Sequence, residues 1–311
     1  MRNFGAHFRG CLLGLAVGDA LGGPLEFMES AVIARKHGRV TEMIGGGWLN
    51  LKPGEWTDDT AMALDLAQSL VDKNGFVPED IAARFVAWLE SSPPDVGNHT
   101  RAVLGRMRGD GMPGNKTTDW KTASLGVQRL SPSSAGNGSL MRCAPVALFD
   151  YADTAARLDH SKVSSEITHA HQECQWSCAI ANGFIAHAIS LGGRDAALDA
   201  AVEECRDAPG HIRKRISLAP GKHRSELKPT GYVLDTLDCA LWALMNTDSF
   251  EDAVVEAVNL GGDADTTGAV TGAMAGAFYG ESEIPVRWLD VLFERERIAD
   301  LADWFATRAA V

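Results

Sequence analysis

The sequence has no charge-free apolar run approaching the ~20 residues that a membrane-spanning helix needs, which argues against an integral membrane protein. Positive charge is scarce too: 29 Lys and Arg stand against 41 Asp and Glu, a formal net charge of −12. A field of that sign repels nucleic acid and anionic membrane surfaces. A phosphate-bearing ligand would need a local exception, and bound cations are the simplest one. Cysteine is sparse and scattered: Cys11, Cys143, Cys174, Cys178, Cys205 and Cys239 are spread over 311 residues. A chain of this length buries a core without staples, so these are read as reduced thiols of a cytoplasmic protein. Long polar linkers are missing. The turn-rich joints at 91–97, 131–134 and 218–221 are short, and residues 1–311 are expected to form one domain. Residues 1–27 share some traits of a secretory leader, but glycines dilute the apolar stretch and Asp19 ends it.

Strand signals are also poor, and what is present is helical periodicity. Apolar residues recur at three- and four-residue spacing, as in Ala61, Met62, Leu64, Leu66, Ala67 and Leu70. Such spacing predicts helices over roughly 6–22, 57–72, 78–90, 139–149, 163–191, 194–206, 230–246, 250–259, 265–279 and 286–308. The expected fold is all-α, a single compact domain of many helices. Glycine adds a second period. Gly10, Gly14, Gly18 and Gly22 recur every four residues, as do Gly268, Gly272, Gly276 and Gly280. Each interior helical glycine costs about 0.5–1 kcal/mol relative to alanine. Residues four apart share a helix face, so each series offers a groove for a close backbone approach. The two segments are expected to be the central helices, packed on each other or independently on others.

Four clusters carry candidate chemistry. Thr57, Asp58, Asp59 and Thr60 open one predicted helix, and Asp263, Asp265, Thr266 and Thr267 open another after Gly261 and Gly262. Either alone reads as a helix cap with acidic residues at the positive end of the dipole. Together they concentrate carboxylates that are costly unless a cation neutralises them. Carboxylates and hydroxyls are hard oxygen donors, suited to Mg²⁺ or Mn²⁺ rather than zinc. A shared carboxylate would hold two ions a few ångströms apart in a central dinuclear cleft. The third cluster, Gly136, Asn137, Gly138 and Ser139 followed by Arg142, is a turn whose backbone N–H groups could cradle an anion. Arg142 either reaches that anion or pairs with an internal carboxylate. The fourth, His169, His171, Cys174 and Cys178, has spacing that invites zinc, but no second ligand pair accompanies it. A substrate-facing His169 is the preferred reading.

These motifs, in this order, resemble the ADP-ribosylglycohydrolase family. The resemblance runs from Gly10 to Gly22 through Trp56 to Thr60, then Ala135 to Arg142, Thr168 and His169, Gly231 to Val233, and Gly261 to Thr266. It implies an all-α fold around two divalent cations, Mg²⁺ or Mn²⁺. Thr57, Asp58 and Asp59 would hold one side of that site, and Asp263, Asp265 and Thr266 the other. It further implies an active-site glutamate at Glu26, and diphosphate and distal ribose held at Gly136, Asn137, Gly138 and Ser139. His169 and Tyr232 would line the cleft. Some relatives carry an aspartate shortly before the Gly-Asn-Gly turn; here that stretch reads Ser133, Ser134, Ala135.

The function so implied is metal-dependent hydrolysis at the C1″ carbon of ADP-ribose, with Glu26, Asp58, Asp59 or Asp265 serving catalysis. The carboxylate cluster would stabilise an oxocarbenium-like state. The expected partner is an ADP-ribosylated protein or small conjugate, linked first of all through arginine. Serine-linked, polymeric and O-acyl-ADP-ribose are the alternatives. Two other classes remain, a two-metal nucleotide phosphohydrolase and a non-catalytic crystallin-like protein.

Overall fold

The computed structural model describes residues 4–110 and 116–310; the first three residues of the leader-like stretch lie outside them. Among the described residues there are sixteen α-helices. The first eight are α1 (Phe4–Gly22), α2 (Ser30–His37), α3 (Asp58–Lys73), α4 (Pro78–Glu90), α5 (Asn98–Arg108), α6 (Trp120–Leu130), α7 (Ala144–Phe149) and α8 (Thr154–Glu166). The rest are α9 (Gln172–Leu191), α10 (Arg194–Glu204), α11 (Gly210–Leu218), α12 (Val233–Met245), α13 (Phe250–Val258), α14 (Ala264–Tyr279), α15 (Val286–Leu289) and α16 (Arg295–Ala309). One antiparallel ribbon completes the set, β1 (Met28–Glu29) against β2 (Gly261–Gly262), with Met28 opposite Gly262.

The glycine periods explain the centre of the molecule. Helices α1 and α14 make the most extensive contact between any two elements. A methyl group built on Gly14 would collide with the carbonyl oxygen of Gly272, and one on Gly272 with that of Gly14. Gly18 and Gly268 block each other in the same way, and so do Gly10 and Gly276, while Gly22 meets the Ala264 backbone. The two helices therefore run antiparallel with their backbones touching, and the dispersion gained along that seam offsets the glycine cost. Gly280 ends the seam: it stops α14 with a φ of 89°, and a side chain on Gly10 would come within 2.8 Å of its backbone carbon, whereas a Cβ of its own would meet Ala6 and His7 only at 3.7 Å. Both helices are buried on nearly every side, as expected of helices apolar all round. The leader-like stretch is thus one of the two core helices.

Three predicted helices are shorter than their periodicity suggested. The 139–149 segment turns until Ala144, where Pro145 fits the first turn. The 163–191 segment breaks at 167–171, because Ser165 Oγ donates to the His169 carbonyl and His171 caps a new helix. The 286–308 segment breaks before Arg295, with Glu294 left-handed at φ 55°. Helices α2, α5, α6 and α11 lie outside the expected spans; α2, α6 and α11 bury only one to three residues each, such as Ile212 and Ile216 in α11, and α5 buries five that include Thr100 and Gly105. No helix among the described residues is long and apolar enough to cross a membrane.

Candidate active site

The start of α3 is capped from another helix. Asp19, fully buried on α1, accepts hydrogen bonds from the Thr57 and Thr60 backbone N–H groups at 3.0 Å each and from the Thr57 and Thr60 hydroxyls at 2.8 and 2.6 Å. With the first-turn donors satisfied in this way, the acidic side chains of the turn are released from capping duty. Thr57 itself makes no side-chain cap. Asp59 reaches inward, its Oδ2 3.4 Å from both the Thr57 and Thr266 hydroxyls, so the two distant acidic motifs meet.

The start of α14 behaves similarly. Asp263 is the N-cap residue but makes no side-chain cap; its Oδ2 accepts from Asn137 Nδ2 at 2.8 Å. The turn before it needs glycine: Gly262 has φ 65°, and a side chain there would strike the Pro229 carbonyl. Pairing of β2 with β1 draws residue 27 alongside, and Phe27 N donates to the Gly262 carbonyl at 2.7 Å. That contact places Glu26 beside the α14 start. One oxygen each from Glu26, Asp263 and Asp265 lie within 4.8 Å of one another. Trp48 Nε1 donates to Glu26 Oε2 at 2.6 Å and fixes that side chain.

Glu26, Asp58, Asp95, Asp263 and Asp265 line a cleft of about 430 Å³ in which no lysine or arginine takes part. Burial, then mutual repulsion, holds Asp58, Asp59 and Asp265 well above the usual carboxylate range. Burial pushes Glu26 up to about 8, with Asp95, Asp263 and Asp19 adding to the shift. Burial likewise raises Asp19 to about 6, against the pull of its threonine donors. Asp59 Oδ1 and Asp265 Oδ1 are buried with no hydrogen-bond partner. Buried, unpartnered oxygens among crowded acids fit hard divalent cations and little else. The positive ends of α3 and α14 add only partial relief.

A pH dependence follows. Glu26 and Asp19 hold their protons more tightly in the folded chain than in the unfolded one. Their contribution to stability is full below their ordinary values and lost as pH rises through about 6 and about 8. Denaturant melts in a chelator are expected to show stability falling by on the order of 2 kcal/mol between about pH 5 and about pH 8. Added Mn²⁺ should restore it at the higher pH, where ligands are deprotonated. A flat profile would show that neither burial nor mutual repulsion raises these carboxyls.

The opposite wall is the glycine turn. Gly136, Asn137 and Gly138 line the cleft, together with His169. The Asn137 side chain is committed to the scaffold, bonding Thr236 Oγ1 at 2.9 Å as well as Asp263. Ser139 lies behind the turn, its hydroxyl 2.8 Å from Ser165 Oγ. Arg142 meets neither an anion nor a carboxylate. Fully buried, it donates to the Gly138 carbonyl at 2.6 Å and Thr168 Oγ1 at 2.7 Å and lies 4.5 Å from the Phe85 ring centre. It braces the turn from inside, and burial lowers its pKa to about 10. His169 is held neutral by burial and by neighbouring His99 and Arg142. Tyr232 pairs with Gly136 through the backbone, while its hydroxyl donates to Glu173 Oε2 at 2.9 Å, away from the cleft lining. His171 turns to the Glu173 backbone and Cys174 to the Gly136 carbonyl, so they assemble no zinc site. All six cysteines are buried free thiols.

Several cleft residues escaped the sequence reading. Asp95 comes from the α4–α5 joint, its carboxyl within hydrogen-bonding reach of Asp58 and its pKa raised, chiefly by burial. It puts an acid in the cleft although none precedes the Gly-Asn-Gly turn. His99 packs on His169 at 4.7 Å, and Phe27 and Trp48 sit on the cleft wall. The proline pair before Asp95 signalled only a turn; the other three left no periodic signal.

A family model described as ADP-ribosylglycohydrolase matches residues 2–311. The chain is 39% identical over 293 residues to an ADP-ribosyl-[dinitrogen reductase] glycohydrolase of Rhodospirillum rubrum, covering 92% of this chain and 91% of that one. It is 37% identical to the ADP-ribosylarginine hydrolase Tri1 of Serratia proteamaculans, covering 95% and 77% respectively. A solved structure titled as an ADP-ribosylglycohydrolase-related protein complex superposes with a TM-score of 0.79 at 35% identity, over all of both chains.

Proposed function

The chain belongs to the ADP-ribosylglycohydrolase family, and from that membership we propose that it is a cytoplasmic hydrolase that frees ADP-ribose from arginine side chains of modified proteins. Relatives named for ADP-ribosylarginine and for ADP-ribosylated dinitrogen reductase support the acceptor. The observation that carries the chemistry is the cleft of five acidic residues with no lysine or arginine in its lining, three of them at two helix starts that make no side-chain cap. Thr57, Asp58, Asp59, Asp263, Asp265 and Thr266 are the residues that would hold two divalent cations, Mg²⁺ or Mn²⁺, with Glu26 at their edge. Cations bound there supply Lewis acidity toward ribose hydroxyls and water.

The chain's own groups account for the proton movements. Glu26, fixed by Trp48, takes a proton from the water that attacks C1″. Asp95, whose pKa burial raises against the lowering pull of its contact with Asp58, is the proton donor in this reading. It gives that proton to the departing guanidine nitrogen as the C1″–N bond breaks. The products are ADP-ribose and a free guanidinium, and the remaining carboxylates stabilise positive charge developing on the ribose. The glycine turn, braced by Arg142, seats the diphosphate on backbone N–H groups.

The test is a release assay on arginine-, serine- and acyl-linked ADP-ribose in parallel, with and without Mg²⁺ or Mn²⁺, and Asp263→Asn as control. Divalent-dependent release of ADP-ribose from the arginine linkage is expected, and at most about 1% of it from the variant. Release of AMP, or turnover of serine or acyl linkages alone, would refute the reading.

A further inference from the structure

Two aromatic rings on the wall of the acidic cleft are exposed without need. Phe27 is 72% exposed and Trp48 52%. Their ring centres lie 5.8 Å apart with a 38° tilt. Phe27 occupies a left-handed backbone position, φ 62°, where a bulky residue is strained and glycine or asparagine would be easier. The turn that imposes this conformation comes from its bond to Gly262, and its result is a phenyl ring held out beside Glu26. Trp48 follows Gly45, Gly46 and Gly47, all at positive φ, in a loop closed by the Gly46–Leu51 bridge. Gly47 packs so closely on the Pro24 backbone that a side chain there would come within 2.8 Å of it. The loop is therefore locked against the chain that carries Glu26. Trp48 spends its one polar atom on Glu26, which leaves its ring faces for a ligand.

The surroundings decide which ligand. Glu26, Asp58 and Asp95 share the cleft with these rings, and no lysine or arginine lines it. Aromatic faces beside carboxylates attract cations, and a planar guanidinium stacks on indole better than an ammonium does. A seryl or acyl acceptor, being uncharged, gains nothing from the ring faces. Resting on the arginine reading above, we infer that Phe27 and Trp48 form the seat of the acceptor guanidinium and set the preference for arginine-linked substrate.

The test uses the full chain with its divalent cation and ADP-ribosylarginine as substrate. For Phe27→Ala, KM is expected to rise about ten-fold, with the loss in kcat/KM carried by KM. Inhibition by free ADP-ribose, which lacks the acceptor, should not change. Trp48→Phe keeps a ring but loses the bond to Glu26, so kcat falls while KM holds. An unchanged KM in a folded Phe27→Ala protein overturns the inference. Equal weakening of substrate and ADP-ribose also overturns it, since the rings would then hold the nucleotide. A wild-type protein that leaves the arginine linkage intact sinks the wider reading and this one together, an outcome distinct from the other two.

Discussion

Alanine in place of Gly272 is expected to destabilise the protein by at least about 3 kcal/mol and to yield little folded material. The added methyl group would sit against the Gly14 carbonyl oxygen, a backbone atom of the facing helix, where no rotamer change offers relief. Only separation of α1 from α14 removes the clash, and that separation loosens the seam at Gly10, Gly18 and Gly268 as well. The gain in intrinsic helix propensity, up to about 1 kcal/mol, acts in the opposite direction and is too small to compensate. Gly210→Ala serves as the control, because open space surrounds that position. Urea unfolding of the two variants checks the expectation, and equal midpoints would mean that the helices can part without cost.

Asp265→Asn is expected to separate stability from activity. The buried carboxyl of Asp265 faces Asp263, Asp59 and Glu26, and one of its oxygens has no partner. Exchanging it for a neutral amide of the same shape removes repulsion, so the cation-free variant should resist denaturant better than wild type at about pH 8, by on the order of 1 kcal/mol. Divalent affinity should fall at least about 100-fold, since even outer-shell partners of metal ligands contribute up to that much, and turnover should fall with it. Calorimetric titration with Mn²⁺ and chelator-state melts measure the two effects independently. A variant that lost stability without losing cation affinity would show that Asp265 serves the fold and not a metal.

The most legible features were those that a sequence can justify in only one way. Glycines every four residues inside two helices have no use except backbone contact, and the contact is there. Aspartates crowded at two helix starts exceed what capping needs, and the two starts do converge. What stayed hidden depends on tertiary partners. The break at 167–171 brings His169 to the cleft wall, yet Thr168 and His169 are compatible with a continuing helix; the interruption comes from Ser165 bonding the His169 carbonyl. Ser139 reads as a loop hydroxyl, and only the arrival of Ser165 from α8 shows that it faces inward. For Arg142 the sequence offered an anion or an internal carboxylate, because a guanidinium buried without either is uncommon. Carbonyl oxygens, a threonine and the Phe85 ring take that place instead. Helices such as α2 and α11 hide because a short polar helix with one or two buried residues carries little period.

The way α3 is held has a further implication. Its start hangs on Asp19 of α1, and the other acidic turn leads directly into α14, which lies against the same stretch of α1. The spacing between the two groups of ligands is thus gauged by the touching main chains of α1 and α14 and by the Asp19 carboxylate, rather than by apolar side-chain bulk. Such a gauge cannot drift when leucines and valines elsewhere are exchanged for others of similar size. Interior substitutions should therefore shift melting points while leaving cation affinity where it was, and a family built this way could diversify its interior widely around an unaltered pair of acidic turns.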